Sequence, residues 1–261
     1  MKSGPGASPR SSTQKPVARH PRKPRASPNS DLGPPRNFVG YGRNPPHPRW
    51  PGDARIALNF NLNVEAGGER SILEGDVRSE NILTDIGYPS YEGARSPLVE
   101  SAFEYGPRVG CWRLLRIFKK FDVKISVLGV VRGLQRYPDL ARAFVEEGHE
   151  MVCHGWRWID YATMAETEER EHVRLATEGI AELTGERPVG SFCGRPSANT
   201  RRLLIEQGGY LYDRDYLGDE LPFWVDVGGD ATWSCPTRWR RTTTDSIKTT
   251  DLARPTISPS I

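Results

Sequence analysis

Short apolar segments alternate with amphipathic segments through the middle of this chain, and this alternation restricts the fold more than any other feature. The runs "VKISVLGVV" (123–131) and "EMVCH" (150–154) are β-branched or apolar and predict buried strands. Between them, "PDLARAFVEEGH" (138–149) has the pattern of a helix that begins at a proline and ends at a glycine. Strands that alternate with helices predict βα units and a parallel sheet, either open or closed into a barrel.

The pattern continues on both sides of this unit. A helix predicted at 163–185 opens with Thr163 and Glu166, which have the spacing of a capping box, and ends at Gly185. Further helices are predicted at 107–121, with Val109, Trp112, Leu115 and Phe118 on one face, and at 197–209. Further strands are predicted at 54–62, 188–193, 210–213 and 223–227.

Composition divides the chain into three regions. Residues 1–36 are rich in Pro, Ser, Arg and Lys, and we expect a disordered basic extension rather than a targeting segment. Residues 37–230 carry the α/β pattern, and residues 231–261 form a Thr/Ser-rich tail without a period, which we expect to be irregular. Because a complete (β/α) barrel typically needs about 250 residues, we expect an incomplete barrel that lacks its last units.

Charge and hydropathy exclude several classes of protein. The net charge of +3 is too small to favour a nucleic-acid partner, and no apolar run is long enough to predict a membrane span. The four cysteines form no CxxC pair, so a zinc ribbon is not expected. We therefore predict a cytoplasmic protein that acts on a small molecule, and the sequence leaves a homo-oligomer open.

Polar side chains follow four of the predicted strands, at the edge where parallel-sheet enzymes place their chemistry. Asn63, Glu65 and Glu69 follow the first strand, His154 and Arg195 follow two later ones, and Asp213, Asp215 and Asp219 follow the fourth. His154 suits general-base catalysis, although a lone histidine after an apolar run can also be a core residue. Arg195 suits a carboxylate or a polarised carbonyl, and its alternative is a surface arginine.

The acidic candidates also have structural alternatives. Glu65 and Glu69 flank two glycines, so they are either catalytic carboxylates or parts of a solvated turn. Glu104 precedes a helix, where acidic groups are common for dipole reasons alone. A metal site is not expected, because Trp158 occupies the place where a second histidine would complete a ligand pair with His154.

Several strings together resemble the polysaccharide deacetylase superfamily, and most of all its branch of cofactor-independent allantoinases. They include "VGYGRNPPHPRWPGDARIALNFNLNVEAGGE", "FEYGPRVGCWRLLRIF", "EMVCHGWRWIDY", "LTGERPVGSFCGRPSANTRRLLIEQGGYLYDRD" and "DELPFW". The resemblance implies a distorted (β/α) barrel. It also implies a hydrolase that acts on non-peptide carbon–nitrogen bonds without a metal or other cofactor and opens the cyclic amide of allantoin to give allantoate in purine catabolism.

The resemblance also implies roles for individual residues. His154, Glu65, Glu104 and Arg195 match positions from which we predict the catalytic groups: His154, helped by a glutamate, takes a proton from water, and Arg195 stabilises the oxyanion. Glu69, Trp156, Trp158, Asn199 and Asp215 are the predicted substrate-binding residues, with the two tryptophans walling the flat ring.

Other features leave alternatives to this reading. Metal-dependent members of the superfamily carry an aspartate pair after the first strand and a His-x-x-x-His motif, and here Asn63, Glu65 and Trp158 stand at those places. The first alternative is still a metal-dependent polysaccharide N-deacetylase. The second is an inactive fragment, since beyond "WSCP" the sequence departs from the family pattern as a truncated or frame-shifted chain would.

Overall fold

The computed structural model describes residues 36–227 and 229–235, and these form a mixed α/β unit. Its strands are β1 (Asn61–Val64), β2 (Ser126–Gly129), β3 (Glu150–Cys153), β4 (Gly190–Ser191), β5 (Tyr212–Asp213), β6 (Phe223–Val227) and β7 (Asp230–Ser234). Its α-helices are α1 (Pro97–Tyr105), α2 (Cys111–Phe121), α3 (Val131–Leu134), α4 (Pro138–Glu146), α5 (Glu166–Thr184) and α6 (Thr200–Gln207). Among the described residues, no helix is both long and apolar enough to cross a bilayer.

All seven strands belong to one sheet with the order β1-β2-β3-β4-β5-β7-β6. The first five strands run parallel in chain order, and β7 continues the parallel arrangement beside β5. Only β6 is antiparallel, and it pairs with β7. Within the described residues β1 and β6 are the two edges of this sheet, and the predicted α/β class with a mainly parallel sheet is confirmed.

The core lies between the central strands and the helices that cover them. All four residues of β2 are buried, as expected for a strand covered on both faces. Val127 and Leu134 pack in one cluster with Phe144 of α4 and with Ala176 and Ile180 of α5. The predicted start of α4 and the predicted end of α5 hold, because Pro138 begins the first and Gly185, at φ 82°, ends the second.

Three local predictions were wrong. The strand predicted at 54–62 begins only at Asn61, and Ile56, Leu58 and Phe60 are exposed because the preceding segment has no strand to pair with among the described residues. The capping box was misplaced, since Ala165 is the N-cap of α5 and no side chain caps it. Val109, predicted on the apolar face of a helix, lies in a π-turn (Gly106–Gly110) and is 41% exposed.

The C-terminal boundary also differs from the prediction. Strand β7 runs to Ser234, past the predicted domain end at residue 230, because it pairs with β5 on one side and β6 on the other. Thr232 and Ser234 are buried there. The predicted extension at 1–36, except for its last residue, and the tail beyond residue 235 lie outside the described residues.

His149, a buried histidine directly before β3, is expected to make the stability of the fold depend on pH. His149 is 6% exposed, packs near Phe118 and Phe144, and has no hydrogen-bond partner for Nε2 among the described residues. Burial, helped by the nearby Lys124 charge, lowers the pKa of His149. The unfolded chain therefore binds the proton first as pH falls.

We expect His149 to have no effect on the pH dependence of the free energy of unfolding above about pH 6.5, the ordinary pKa of histidine. As the pH falls below that value, the free energy of unfolding should decrease until the folded-state pKa is reached. Urea unfolding at pH 7.5 and 5.5 measures this loss, and His149→Gln should reduce it. It should not abolish it, because burial lowers the pKa of His172 as well. The exposed His47 provides the control as His47→Ala, and an unchanged pH dependence in His149→Gln would contradict the assignment.

Candidate active site

A histidine and a glutamate meet where β1 and β3 end. Glu65 follows β1 and His154 follows β3, and the parallel register through β2 aligns the two strand ends at Gly129. His154 Nε2 lies 2.9 Å from Glu65 Oε1, and the Asn63 amide donates to the same oxygen at 2.8 Å. An ionised carboxylate only accepts hydrogen bonds, so Nε2 carries the proton when Glu65 is charged.

The imidazole is held in a narrow space. The His154 side chain is 1% exposed, and its ring packs against Phe192 with the centroids 4.9 Å apart. Gly194, at φ 78°, passes so close that an added Cβ would lie 3.1 Å from His154 Cε1. The ring therefore has little freedom to rotate away from Glu65.

Arg195 lies across the face of Trp158. Its guanidinium carbon is 4.4 Å from the centre of the indole ring, within the range of a cation–π contact. Trp158 is buried, its indole forms an edge-to-face pair with Phe103 at 6.1 Å, and its backbone N–H donates to Gly68 O at 2.8 Å. One face of the Trp158 indole therefore supports the Arg195 guanidinium.

Asp215 fixes the turn that presents Arg195. Its carboxylate accepts the backbone N–H groups of Cys193 and Gly194, both at 2.7 Å. Burial raises the pKa of Asp215, while these two hydrogen bonds and the charge of His154 act in the opposite direction. Asp215 therefore stands next to the predicted site, in contact with the backbone that carries Arg195.

The loop after β1 is clamped to the loop after β3. Arg157 donates to Asp76 Oδ1 at 3.2 Å and Oδ2 at 2.5 Å, and to the backbone oxygen of Glu69 at 3.1 Å. Asp76 in turn accepts Ser71 N–H at 2.8 Å. These hydrogen bonds hold together the two loops that carry Glu65 and His154.

Glu69 and Glu104 line a separate cleft of about 340 Å³, together with Phe103, Arg136 and Tyr137. Burial raises the pKa of Glu69 despite its hydrogen bond from Gly67 N–H. Glu104 is exposed and pairs with Arg108 at 3.0 Å, one helical turn away. No contact of Glu104 with His154 is present among the described residues, so Glu65 is the glutamate that the fold brings to the histidine.

Two predicted substrate-binding residues, Trp156 and Asn199, have contacts within the fold, and their role in binding substrate stays a prediction. Trp156 packs against the hydrophobic core, and its backbone oxygen accepts Arg132 N–H at 3.0 Å. Asn199 is the N-cap residue of α6, and its Oδ1 accepts a hydrogen bond from Arg202 at 3.1 Å. Neither residue has a contact with His154 or Glu65 in the described part of the chain.

Sequence reasoning missed two residues of this region. Glu80 is buried and lies 3.7 Å from Arg195, and Arg157 clamps the two loops as described above. Glu80 lies in a segment without regular secondary structure, so no periodicity marks it. Arg157 lies in the "HGWRW" string, and no local pattern marks it because its partner Asp76 is 81 residues away in the sequence.

The comparisons with known proteins concern the family and the fold of the chain. Residues 92–209 match the polysaccharide deacetylase family. The chain is 48% identical to the crystal structure of PuuE allantoinase, with a TM-score of 0.76 over 80% of this chain and 70% of that one. It is also 48% identical to a structure assigned as a polysaccharide deacetylase from Pseudomonas aeruginosa PAO1, with a TM-score of 0.75 over 78% and 69% of the two chains.

A curated relative gives the same family. The chain is 35% identical over 185 residues to a Schizosaccharomyces pombe protein assigned to the polysaccharide deacetylases. The alignment covers 67% of this chain and 58% of that relative, so the chain spans little more than half of its length. The chain belongs to the polysaccharide deacetylase family, and this agrees with the resemblance seen in its motifs.

The residues of the site do not fit the divalent metal that metal-dependent members of the family would hold. No cluster of three His, Cys, Asp or Glu side chains within the described residues has the arrangement of a metal site. His154 Nε2 is hydrogen-bonded to Glu65, and the position four residues on is Trp158, with the Arg195 cation above its ring. One imidazole beside a fixed positive charge is a poor donor set for such an ion, so we derive no step through a metal.

Proposed function

We propose that this protein opens the cyclic amide of allantoin by hydrolysis to give allantoate, without a metal. The observation that carries the proposal is the His154–Glu65 pair, 2.9 Å apart, at the place where a metal-dependent deacetylase would carry its ligands. The 48% identity to PuuE allantoinase supports allantoin as the substrate, and the equal identity to a structure assigned as a polysaccharide deacetylase keeps the N-deacetylase as the alternative. Such a reaction belongs to purine catabolism, and the cytoplasm remains the predicted compartment.

Glu65 and His154 together transfer a proton from the attacking water to the departing ring nitrogen. Glu65 accepts a proton from the attacking water, the resulting hydroxide adds to the ring carbonyl carbon, and the carbon–nitrogen bond of the ring breaks. His154 Nε2 gives its proton to the departing nitrogen and regains one from Glu65, so the pair ends as it began. Since Nε2 is protonated beside a charged Glu65, the carboxylate is the base here, and His154 is the acid rather than the base predicted from sequence alone.

Arg195 supplies the charge that the tetrahedral intermediate needs. A guanidinium held in place stabilises a developing oxyanion, and removal of one such donor typically costs about 10²- to 10³-fold in kcat. Its stacking on Trp158 limits the rearrangement needed when the negative charge forms. Substrate contacts of Glu69 and Asp215 remain predictions.

The test is an assay of allantoin ring opening by the purified chain before and after treatment with a divalent-metal chelator. We expect turnover, and we expect it to change by less than about twofold with the chelator, because no step needs a metal. Absence of turnover would overturn the proposal for this chain. Chelator-sensitive release of acetate from N-acetylated amino sugars would instead establish the N-deacetylase alternative.

A further inference from the structure

We propose that Glu80 is a positioning residue, which holds the Arg195 guanidinium in its catalytic place against Trp158. This inference rests on the proposed role of Arg195 in the site. Glu80 Oε2 lies 3.7 Å from Arg195 Nη1, and the Glu80 side chain is only 5% exposed. A carboxylate buried to this degree needs a cationic partner, and Arg195 provides it.

The carboxylate itself is fixed by its own backbone. Glu80 Oε1 accepts the N–H groups of Asn81 and Ile82, each at 2.9 Å. The backbone N–H of Glu80 donates to Arg70 O at 2.8 Å, which ties this turn to the loop that follows β1. The Glu80 carboxylate is therefore fixed in position, and its charge attracts the Arg195 guanidinium from one side.

Arg195 is thus held from two directions. The indole of Trp158 supports its face at 4.4 Å, and Glu80 attracts one of its edges. A planar guanidinium has five N–H donors, so the contact with Glu80 leaves donors for a carbonyl oxygen. Without Glu80, the stacking contact alone would allow the guanidinium to slide over the ring, and the oxyanion donor would be less well placed.

The decisive variant is Glu80→Gln, which keeps the size of the side chain and an oxygen that can accept the two backbone N–H groups. It removes the charge that attracts Arg195. We expect kcat for allantoin ring opening to fall about tenfold while KM changes by less than about threefold, because the loss is one of orientation in the transition state. Glu92→Gln is the matched control, since Glu92 is on the same loop but 70% exposed and pairs with the exposed Arg78 at 3.6 Å.

A double-mutant cycle separates positioning from a direct role. In an Arg195→Ala background we expect Glu80→Gln to lower kcat by less than about twofold, since the group that it positions is gone. An undiminished tenfold effect in that background would overturn the inference. So would a Glu80→Gln single variant with the kcat of the wild type.

A measurement without substrate keeps this inference distinct from the proposed function. In protein labelled with ¹⁵N-arginine, the Arg195 Nε–Hε signal is assigned by its loss in Arg195→Lys, and the Trp158 ring should displace it upfield. We expect Glu80→Gln, but not Glu92→Gln, to move it toward the ordinary arginine position. An unmoved signal would overturn the role of Glu80 even if allantoin is turned over; absence of turnover with a moved signal would count against the proposed function alone.

Discussion

His154→Ala is expected to lower kcat for allantoin ring opening by about 10²- to 10⁴-fold, the usual contribution of a general acid–base group. The variant removes the proton donor at Nε2, and within the described part of the chain it leaves Glu65 with the Asn63 amide as its hydrogen-bond partner. Steady-state kinetics at saturating allantoin measure the loss directly. A kcat within about threefold of the wild type would remove His154 from the mechanism.

Because His154 is buried, its removal also creates a cavity, and a loss of folding has to be separated from a loss of chemistry. Glu65→Gln serves this purpose, since it keeps the volume and removes the charge of the base. We expect it to lose kcat to a comparable degree while its urea midpoint stays close to that of the wild type. His47→Ala, at an exposed histidine, is the control that should leave both quantities unchanged.

Phe144→Ala is expected to lower the free energy of unfolding by about 3–5 kcal/mol, which is a large share of the stability of an ordinary domain. The Phe144 side chain is fully buried in the cluster that joins α4 to the central strands, so its loss leaves a cavity in the middle of the core. Urea unfolding followed by fluorescence measures the change.

Phe121→Ala is the matched control for the core. Phe121 ends α2 and is 65% exposed, so the same deletion there should cost less than about 1 kcal/mol. Equal losses in the two variants would show that α4 does not cover the sheet as described. The comparison therefore tests the packing of the domain and not only the size of the side chain removed.

Much of the site could be predicted from the chain because strand ends are local features. The β-branched run before Gly129 and the apolar run before His154 mark two parallel strands, and parallel strands bring their carboxyl ends to one edge. That argument placed Glu65 and His154 on the same edge before any distance was known. Glu104 and Asn199 were predicted from the family resemblance and not from strand ends, and their partners Arg108 and Arg202 lie within four residues of them in the sequence.

The amino-acid sequence alone determined the α/β class, the start of α4 and the end of α5, because each of these depends on local spacing. Its motifs indicated the family by resemblance, and within that resemblance Trp158 stands at the place of a second metal-binding histidine. Only the tertiary structure decided which glutamate meets His154, that Arg195 lies over Trp158, and that Glu80 stands beside it. These contacts join residues from different loops, and they depend on how strands pair and loops pack. No period or motif in one segment can encode a distance to another.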